Sequence, residues 1–302
     1  MKLFSFEHAD GVRPGILLED GRAFDLTLAA ARRAPNLAAS SLRALIEGGP
    51  EALAAVSAIA HDPTGLEDAS LDFPGLRLAA PIPRPRKNIF CVGRNYVEHV
   101  KEGAQANKIE MKIPQAPQFF TKPPTAVIGP GASVRVARAV TERLDYEVEL
   151  GVVIGKAGAD IAPENAYDHI FGYTIVNDMT GRDLQRLHEQ WFKGKGLDTS
   201  CPTGPFIVTK DEIPDPRILN LVCRVNGETR QSAQVSMMIF DIPTLIASLS
   251  RGMTLEPGDI IATGTPSGVG FAMEPPRFLR QGDIVECEID SIGTLRNPVE
   301  TP

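Results

Sequence analysis

The sequence predicts a β-rich fold of the α+β class, and two observations carry that prediction. Apolar residues alternate with polar ones along many short segments, a pattern typical of strands with one buried face. Helical patterns are few and do not alternate with the strands, so a closed or rolled sheet fits better than a doubly wound one. Proline at alternate positions keeps residues 81–87 extended, and we place a domain boundary in this Pro-rich linker.

Residues 1–80 form the smaller predicted unit, an α+β domain. A helical pattern over residues 37–60 is interrupted by Gly48-Gly49-Pro50. A unit of this length lies within the usual size range of a domain. Short strands are predicted at residues 2–7, 15–18 and 23–26, with a turn at Asp20-Gly21.

Residues 88–302 form the larger predicted domain, in which strands dominate. Asn226-Gly227 follows an alternating pattern and predicts a β-hairpin. Thr180 with Asp183 predicts a capping box for one helix, and Asp241 an N-cap for another. The predicted helices cover residues 96–102, 180–190 and 241–250. The predicted strands cover residues 88–92, 118–121, 146–154, 171–177, 206–209, 219–225, 259–263 and 284–289.

Composition and charge argue against several classes of function. The chain of 302 residues is 43% hydrophobic and 23% charged, as is typical of a folded globular protein. A formal net charge of −7 without a long Lys/Arg block argues against nucleic acid as a partner. No apolar run approaches the roughly 20 residues of a membrane-spanning helix, and we see no secretory signal. The four cysteines are scattered without a C-x-x-C pair, which favours a reduced, cytoplasmic setting.

The segment of residues 146–154 carries two carboxylates on one face of a predicted strand. At a period of two, Tyr146 begins an apolar face, while Glu147 and Glu149 lie side by side on the opposite face. Like charges at this spacing repel and usually need a cation or a basic partner. A solvated sheet face that carries two glutamates is the alternative, and it is about equally favoured.

A third carboxylate, Asp178, follows the strongly β-prone residues 171–177. A carboxylate at a strand end is a usual place for a ligand, although an ordinary turn residue is the alternative. Three oxygen donors without a nearby histidine or cysteine suit Mg²⁺, Mn²⁺ or Ca²⁺ rather than zinc. Three ligands also leave positions open for water and substrate, as a catalytic ion requires. The sequence therefore predicts a divalent-cation site at Glu147, Glu149 and Asp178.

Two further groups of residues have catalytic potential. His99 and Glu102 are three apart on a predicted helix, where a carboxylate orients an imidazole as a base; such a pair is more often surface decoration. Lys193-Gly-Lys195-Gly is interpreted, on spacing alone, as a mobile surface loop. The loop at residues 264–268 follows a predicted strand and could present the Thr265 hydroxyl to a carboxylate, but it lacks the ending of a phosphate loop.

Taken in order along the chain, these motifs resemble the fumarylacetoacetate hydrolase family over residues 86–299. Within that family the chain is most similar to bacterial acylpyruvate hydrolases and 2-hydroxyhepta-2,4-diene-1,7-dioate isomerases. The motifs are Gly-Arg-Asn-Tyr-x-x-His-x-x-Glu (93–102), Glu-x-Glu-Leu (147–150), Asn-Asp-x-Thr-x-Arg-Asp (177–183), Lys195 with Thr199, and Asp-Ile-Ile-x-Thr-Gly-Thr-Pro-x-Gly (259–268).

The resemblance implies a fold, a cofactor and a set of site residues. It implies a mixed β-sandwich roll, a homodimer, a small oxo-acid substrate and a place in aromatic catabolism. Mg²⁺ or Mn²⁺ would be bound by the three carboxylates already named. The catalytic residues would be His99, Glu102 and Lys195, and the substrate contacts would come from Arg94, Tyr96, Thr199 and Thr265.

The activity that the resemblance favours is hydrolysis of a C–C bond in a 2,4-dioxo acid of the acylpyruvate type. His99, oriented by Glu102, would activate a water, Lys195 would stabilise the oxyanion, and the ion would act as Lewis acid and electron sink. Decarboxylation of a β-keto acid such as oxaloacetate, and isomerisation or hydration of an oxo-enoic diacid, are alternatives within the family. A non-catalytic, metal-stabilised binding protein is the alternative of a different class.

Overall fold

A mixed sheet of twelve strands runs through the computed structural model, which describes residues 1–301. Its strands follow the order β4-β3-β2-β1-β14-β12-β11-β17-β6-β7, with β5 beside β1 and β8 beside β14. The first five strands are β1 (Lys2–His8), β2 (Gly11–Leu17), β3 (Ala23–Asp25), β4 (Ser70–Leu71) and β5 (Leu78–Ala79). The next nine are β6 (Ile89–Gly93), β7 (Gln118–Lys122), β8 (Val127–Ile128), β9 (Val134–Arg135), β10 (Leu144–Asp145), β11 (Val148–Ile154), β12 (Ile170–Asn177), β13 (Thr180–Gly181) and β14 (Cys201–Thr209).

A second sheet of five strands packs over part of the first. Its order is β16-β15-β18-β19-β9, and a separate two-stranded ladder joins β10 and β13. The predicted hairpin is confirmed, because Val225 pairs with Glu228 across the Asn226-Gly227 turn. The remaining strands are β15 (Asn220–Val225), β16 (Glu228–Gln234), β17 (Ile260–Ala262), β18 (Ile284–Ile289) and β19 (Gly293–Glu300).

The helices lie against the sheets or connect their strands. Asp241 caps the last of them as predicted, since its carboxylate accepts the Thr244 N–H at 2.9 Å. The capping box predicted at Thr180 is wrong: Thr180 belongs to a short strand, and Gly181 precedes the helix without a side-chain cap. The helices are α1 (Leu26–Arg33), α2 (Leu42–Glu47), α3 (Gly49–His61), α4 (Val97–Asn107), α5 (Arg182–Leu187), α6 (Phe192–Lys195) and α7 (Ile242–Ser250).

The N-terminal segment shares the large sheet with the strands that follow the predicted boundary. Strand β1 pairs with β14 through Lys2 and Leu3, which lie opposite Val208 and Ile207. Residues 81–87 contain neither helix nor strand, as the prolines predict, yet Ile82 within them is buried. The division into two domains stays a prediction, but this connection packs against the body of the protein.

Two apolar cores lie on opposite faces of the large sheet. Val148, Leu150 and Val152 of β11 face the five-stranded sheet, and Val153 of the same strand faces the helices α1–α3. The period of two predicted for β11 is therefore present, but both faces are covered. The fold is α+β and β-rich, as predicted. Among residues 1–301, no helix is both long enough and apolar enough to cross a membrane.

Candidate metal centre

Strands β11 and β12 bring the three predicted carboxylates together. Val148 pairs with Asn177 across the two strands, so the residues just beyond this pair, Glu147 and Asp178, meet at one sheet end. The Asp178 N–H donates to the Glu147 carbonyl at 2.8 Å, which holds the two backbones together. One carboxylate oxygen from each of Glu147, Glu149 and Asp178 lies within 4.8 Å of the other two.

The carboxylates are buried rather than displayed on a solvated sheet face. Glu147, Glu149 and Asp178 are 4%, 1% and 0% exposed. The alternative of an exposed face with two glutamates is therefore wrong, because helices and loops cover this end of the sheet. Buried carboxylates need a compensating positive charge, and the arrangement of that charge defines the site.

Three basic side chains supply part of this charge. The Lys195 ammonium donates to Glu147 at 2.6 Å and to Asp178 at 2.7 Å. Lys122, with no exposed surface, donates to the other Asp178 oxygen at 2.7 Å and to the carbonyls of Met179 and Lys195. Arg182 lies 2.6 Å from the second Glu147 oxygen.

Glu149 differs from the other two carboxylates because no basic side chain pairs with it among the described residues. Its carboxylate accepts only the Gly264 N–H, at 2.8 Å. Burial, with repulsion from Asp178 and Glu147, raises the pKa of Glu149 well above its ordinary value. Burial also acts to raise the pKa of Glu147, but the charges of Lys195 and Arg182 outweigh it and lower that pKa to about 2.

This donor set fits a divalent cation. Three carboxylates converge within a space that one ion can bridge, all ligand atoms are oxygen, and one carboxylate lacks a positive partner. Oxygen ligands suit Mg²⁺ or Mn²⁺. The residues that would hold the ion are therefore Glu147, Glu149 and Asp178, as predicted.

Lys195 lies in a short helix rather than in the mobile surface loop expected from its spacing. Its side chain is 2% exposed and reaches the carboxylates from the C-terminal end of α6, whereas Lys193 is exposed. Burial alone would lower the pKa of Lys195, but Asp178 and Glu147 outweigh it and raise that pKa. The loop interpretation is wrong because the glycines allow close packing: a Cβ on Gly194 would lie 2.5 Å from the Gln185 nitrogen.

His99 and Glu102 form the predicted pair on α4. His99 Nδ1 lies 2.8 Å from one Glu102 oxygen, and the Gly268 N–H donates to the other at 2.8 Å. Their side chains are 12% and 18% exposed, so the pair is not surface decoration. When the Nδ1 hydrogen is donated to Glu102, the lone pair of the imidazole lies on Nε2, which can then accept a proton.

A cavity of about 240 Å³ is lined by two of the carboxylates, Glu147 and Glu149, and by His99 of this pair. Two of the four predicted substrate contacts, Arg94 and Thr265, line it. The Thr265 hydroxyl donates to the Val148 carbonyl at 3.0 Å and accepts from Gln231 at 2.8 Å, so the protein itself uses it. The Arg94 guanidinium donates a hydrogen bond to the Lys112 carbonyl at 2.6 Å.

The other two predicted contacts, Tyr96 and Thr199, do not line this cavity. The Thr199 hydroxyl instead accepts the Arg135 N–H at 2.8 Å. Tyr96 is buried at the start of α4, and its hydroxyl has no partner among the described residues. Burial and the nearby charge of Glu149 raise the pKa of Tyr96. Contact of Tyr96 or Thr199 with the substrate therefore stays a prediction, since neither residue lines the cavity.

Sequence reasoning missed two cations of the site, the buried Lys122 and the largely buried Arg182. Arg182 lies within the motif quoted for residues 177–183, and that motif was the signal for it. The structure pairs Arg182 with Asp145 and Glu147. Lys122 directly follows the predicted strand at residues 118–121, and a lysine at the end of an apolar run was the available signal. Its partner Asp178 is 56 residues away in sequence, so no local pattern links them.

A buried oxygen-ligand cation site beside a histidine–carboxylate pair is the mark of a metal-dependent enzyme. The sequence profile of the fumarylacetoacetate hydrolase C-terminal domain matches residues 88–300. The chain belongs to the fumarylacetoacetate hydrolase family.

Two curated relatives and one solved structure illustrate the similarity. The chain is 57% identical to the oxaloacetate tautomerase YisK of Bacillus subtilis over 225 residues, which is 74% of this chain and 73% of that one. It is 40% identical to the mitochondrial oxaloacetate tautomerase fahd2 of Xenopus laevis over 310 aligned residues, 99% of this chain and 90% of that one. The structure of a fumarylacetoacetate hydrolase from Exiguobacterium antarcticum superposes with a TM-score of 0.81 at 40% identity and covers 100% of both chains.

Proposed function

We propose that this protein is a divalent-metal-dependent enzyme that interconverts the keto and enol forms of a small 2-oxo diacid of the oxaloacetate type. The observation that carries the proposal is the single small cavity shared by the carboxylates of Glu147 and Glu149 and by His99. Its volume of about 240 Å³ lies below the roughly 300–1,000 Å³ of drug-sized ligand sites, which favours a short substrate. The names of the two curated relatives support the same substrate class.

The three carboxylates would hold Mg²⁺ or Mn²⁺. When bound, the ion supplies a Lewis acid that withdraws electron density from the 2-oxo group and so acidifies the protons on C3. Arg182 and Lys195 hold Glu147 from two sides, and Lys122 and Lys195 hold Asp178, so the ligands are oriented before any substrate enters. Such support from neighbouring groups is a usual requirement of metal sites.

His99 is the proposed base that takes a proton from C3. Its Nδ1 is engaged by Glu102, which the Gly268 backbone N–H anchors, so the imidazole has a fixed orientation and a free Nε2. The protonated His99 then passes that proton to the 2-oxo oxygen, which completes the enol, and in the reverse direction His99 takes the enol proton and delivers it to C3, because base and conjugate acid are one group. Lys195 keeps its proton, since Asp178 and Glu147 raise its pKa, and it contributes a fixed positive charge to the developing oxyanion.

The test follows oxaloacetate through its two tautomers. Enol oxaloacetate is mixed with the Mg²⁺-loaded protein, and the loss of its ultraviolet absorbance is recorded while malate dehydrogenase with NADH consumes the keto form. We expect acceleration above the rate with free Mg²⁺, abolition by EDTA, and no pyruvate. Glu98→Ala, on the exposed face of α4, is the matched control for His99→Ala. A protein that never exceeds the free-metal rate would refute the proposal, and a protein that is also inactive on acylpyruvates would favour a metal-stabilised binding protein.

Hydrolysis of an acylpyruvate is a second candidate, and the geometry of the His99–Glu102 pair favours it. A base held at 2.8 Å by a carboxylate suits activation of water as well as removal of a C–H proton. Water would add to the C4 carbonyl and the C3–C4 bond would break, so that pyruvate and a carboxylic acid are released. Pyruvate with an acid indicates hydrolysis, pyruvate with CO₂ indicates decarboxylation of oxaloacetate, and neither product is formed by a tautomerase.

A further inference from the structure

Helix α4 places a glycine on the side that faces the active-site cavity. Five of its residues line that cavity: His99, Val100, Gly103, Ala104 and Asn107. Gly103 is the seventh of the eleven residues of this helix, well inside it. A glycine in a helix interior costs about 0.5–1 kcal/mol relative to alanine. The surroundings of Gly103 must therefore account for a glycine at this position.

Neither the backbone nor the packing of the protein requires glycine at position 103. Its φ is not in the left-handed region. A Cβ built there would meet only Cζ of Phe271, 3.9 Å away, which is an ordinary van der Waals contact.

A second glycine of the same cavity shows the contrast. A Cβ on Gly93 would lie 2.1 Å from Cζ3 of Trp191, so the indole ring occupies the place of the missing side chain. Trp191 in turn packs edge-on against Phe120, with ring centroids 5.5 Å apart. The space over Gly93 is filled by protein, whereas the space over Gly103 is left open.

The open space over Gly103 is continuous with the predicted cation site. Phe271, which bounds it, lies under the guanidinium of Arg182 at 4.5 Å from the ring centroid. The same guanidinium is 2.6 Å from the ligand Glu147. Two side chains, Arg182 and Phe271, therefore lie along the wall between the cation site and Gly103, and both line the same cavity.

We propose that Gly103 is a specificity-determining residue, and that the space left by its missing side chain receives the part of the substrate beyond C3. The inference rests on the proposed function for the position of C3. Because Phe271 borders this space and the whole cavity is about 240 Å³, the site accepts 2-oxo acids with a short terminal group, such as one carboxylate or a small acyl group.

The test compares two chelating ligands, one without and one with a tail beyond the chelating end. Binding of oxalate, which has no further atoms, and of 2-oxopentanoate, which has a propyl tail, is measured by calorimetry on the Mg²⁺-loaded protein. In Gly103→Leu we expect 2-oxopentanoate to bind about tenfold or more weakly and oxalate to change by less than about threefold, because excluded methylenes account for discrimination of this size. Gly103→Ala gives a smaller effect of the same kind and a higher Tm, since alanine favours the helix.

Gln105→Ala, on the exposed face of the same helix, is the matched control and leaves both affinities unchanged. Equal weakening of both ligands in Gly103→Leu, or no weakening of either, overturns the inference. Turnover is not needed for this measurement. If Gly103→Leu weakens the binding of 2-oxopentanoate alone but the wild-type protein has no tautomerase activity, only the proposed function is refuted. A wild-type protein that does not bind oxalate overturns both.

Discussion

Replacement of Lys122 by methionine tests whether the buried charge network holds the metal centre together. Lys122 has no exposed surface, and all three of its ammonium protons are used, by Asp178 and by the carbonyls of Met179 and Lys195. Methionine has a similar length and shape but no donor, so Asp178 would lose one of its two cations and two buried carbonyls would lose a partner. Removal of one member of a buried ion pair costs about 3–5 kcal/mol.

The expected effect on stability follows from the chain length. An unfolding entropy of about 2.1 cal/mol/K per residue over 302 residues converts about 3–5 kcal/mol into a fall in Tm of about 5–8 °C. We also expect metal affinity to fall by about 10–100-fold, because an oriented ligand would be released. Thermal denaturation in the presence of EDTA measures the fall in Tm, and calorimetric titration with Mn²⁺ measures the change in metal affinity.

The matched control is Lys101→Met. Lys101 pairs with Glu98 at 3.2 Å on the surface, where both side chains are more than half exposed, 51% and 57%. Exposed pairs of this kind contribute about 0–1 kcal/mol. If Lys122→Met were as stable as Lys101→Met and bound Mn²⁺ as tightly as the wild type, the network would not support the site and the reasoning would be wrong.

Three further predictions concern the base, the metal and the assembly. His99→Ala lowers turnover by about 10²–10⁴-fold while Mn²⁺ affinity in calorimetry stays near the wild-type value, and retained turnover would remove His99 from the mechanism. Without metal, the folded state binds more protons than the unfolded state because the pKa of Glu149 is raised. The contribution of Glu149 to stability is therefore complete below about pH 4.5 and is lost as the pH rises through the raised pKa. Stability against thermal denaturation in EDTA therefore falls as the pH rises, Mg²⁺ reverses this loss, and a flat profile would contradict the assignment. The homodimer implied by the family resemblance is tested by light scattering. The proposed contact is Met237, 53% exposed, in a turn that packs against the turn of Ile218, 65% exposed. Met237→Asp yields single chains, and a dimer retained by this variant would exclude the contact.

The alternation of residues 146–154 predicted the strand and the common side of Glu147 and Glu149, and these features are local. It did not predict that Glu147 lies just before β11, or that both faces of the strand are covered. Burial of the second face comes from α1–α3, which are distant in sequence. Helix α1 itself was missed, although Asp25 caps it by accepting the Thr27 and Leu28 N–H groups.

Lys195 shows why spacing alone was misleading. Lysine between glycines is typical of exposed loops, and the segment offers no apolar pattern that would predict burial. Its ammonium is buried because it binds Glu147 and Asp178, which lie just beyond the ends of strands β11 and β12. The resemblance to a known family pointed to Lys195, the lysine that contacts the carboxylates, where local reasoning did not.

The sequence by itself determined the features that depend on neighbours along the chain: strand periodicity, the Asn226-Gly227 hairpin, the Asp241 cap and the three-residue spacing of His99 and Glu102. Only the tertiary structure decided which charges meet. Lys122 and Asp178 are 56 residues apart, and Glu149 and Gly264 are 115 apart, so their pairing depends on strand order and not on local pattern. Electrostatic energy depends on distance in space and on burial, and neither quantity exists until the strands are paired.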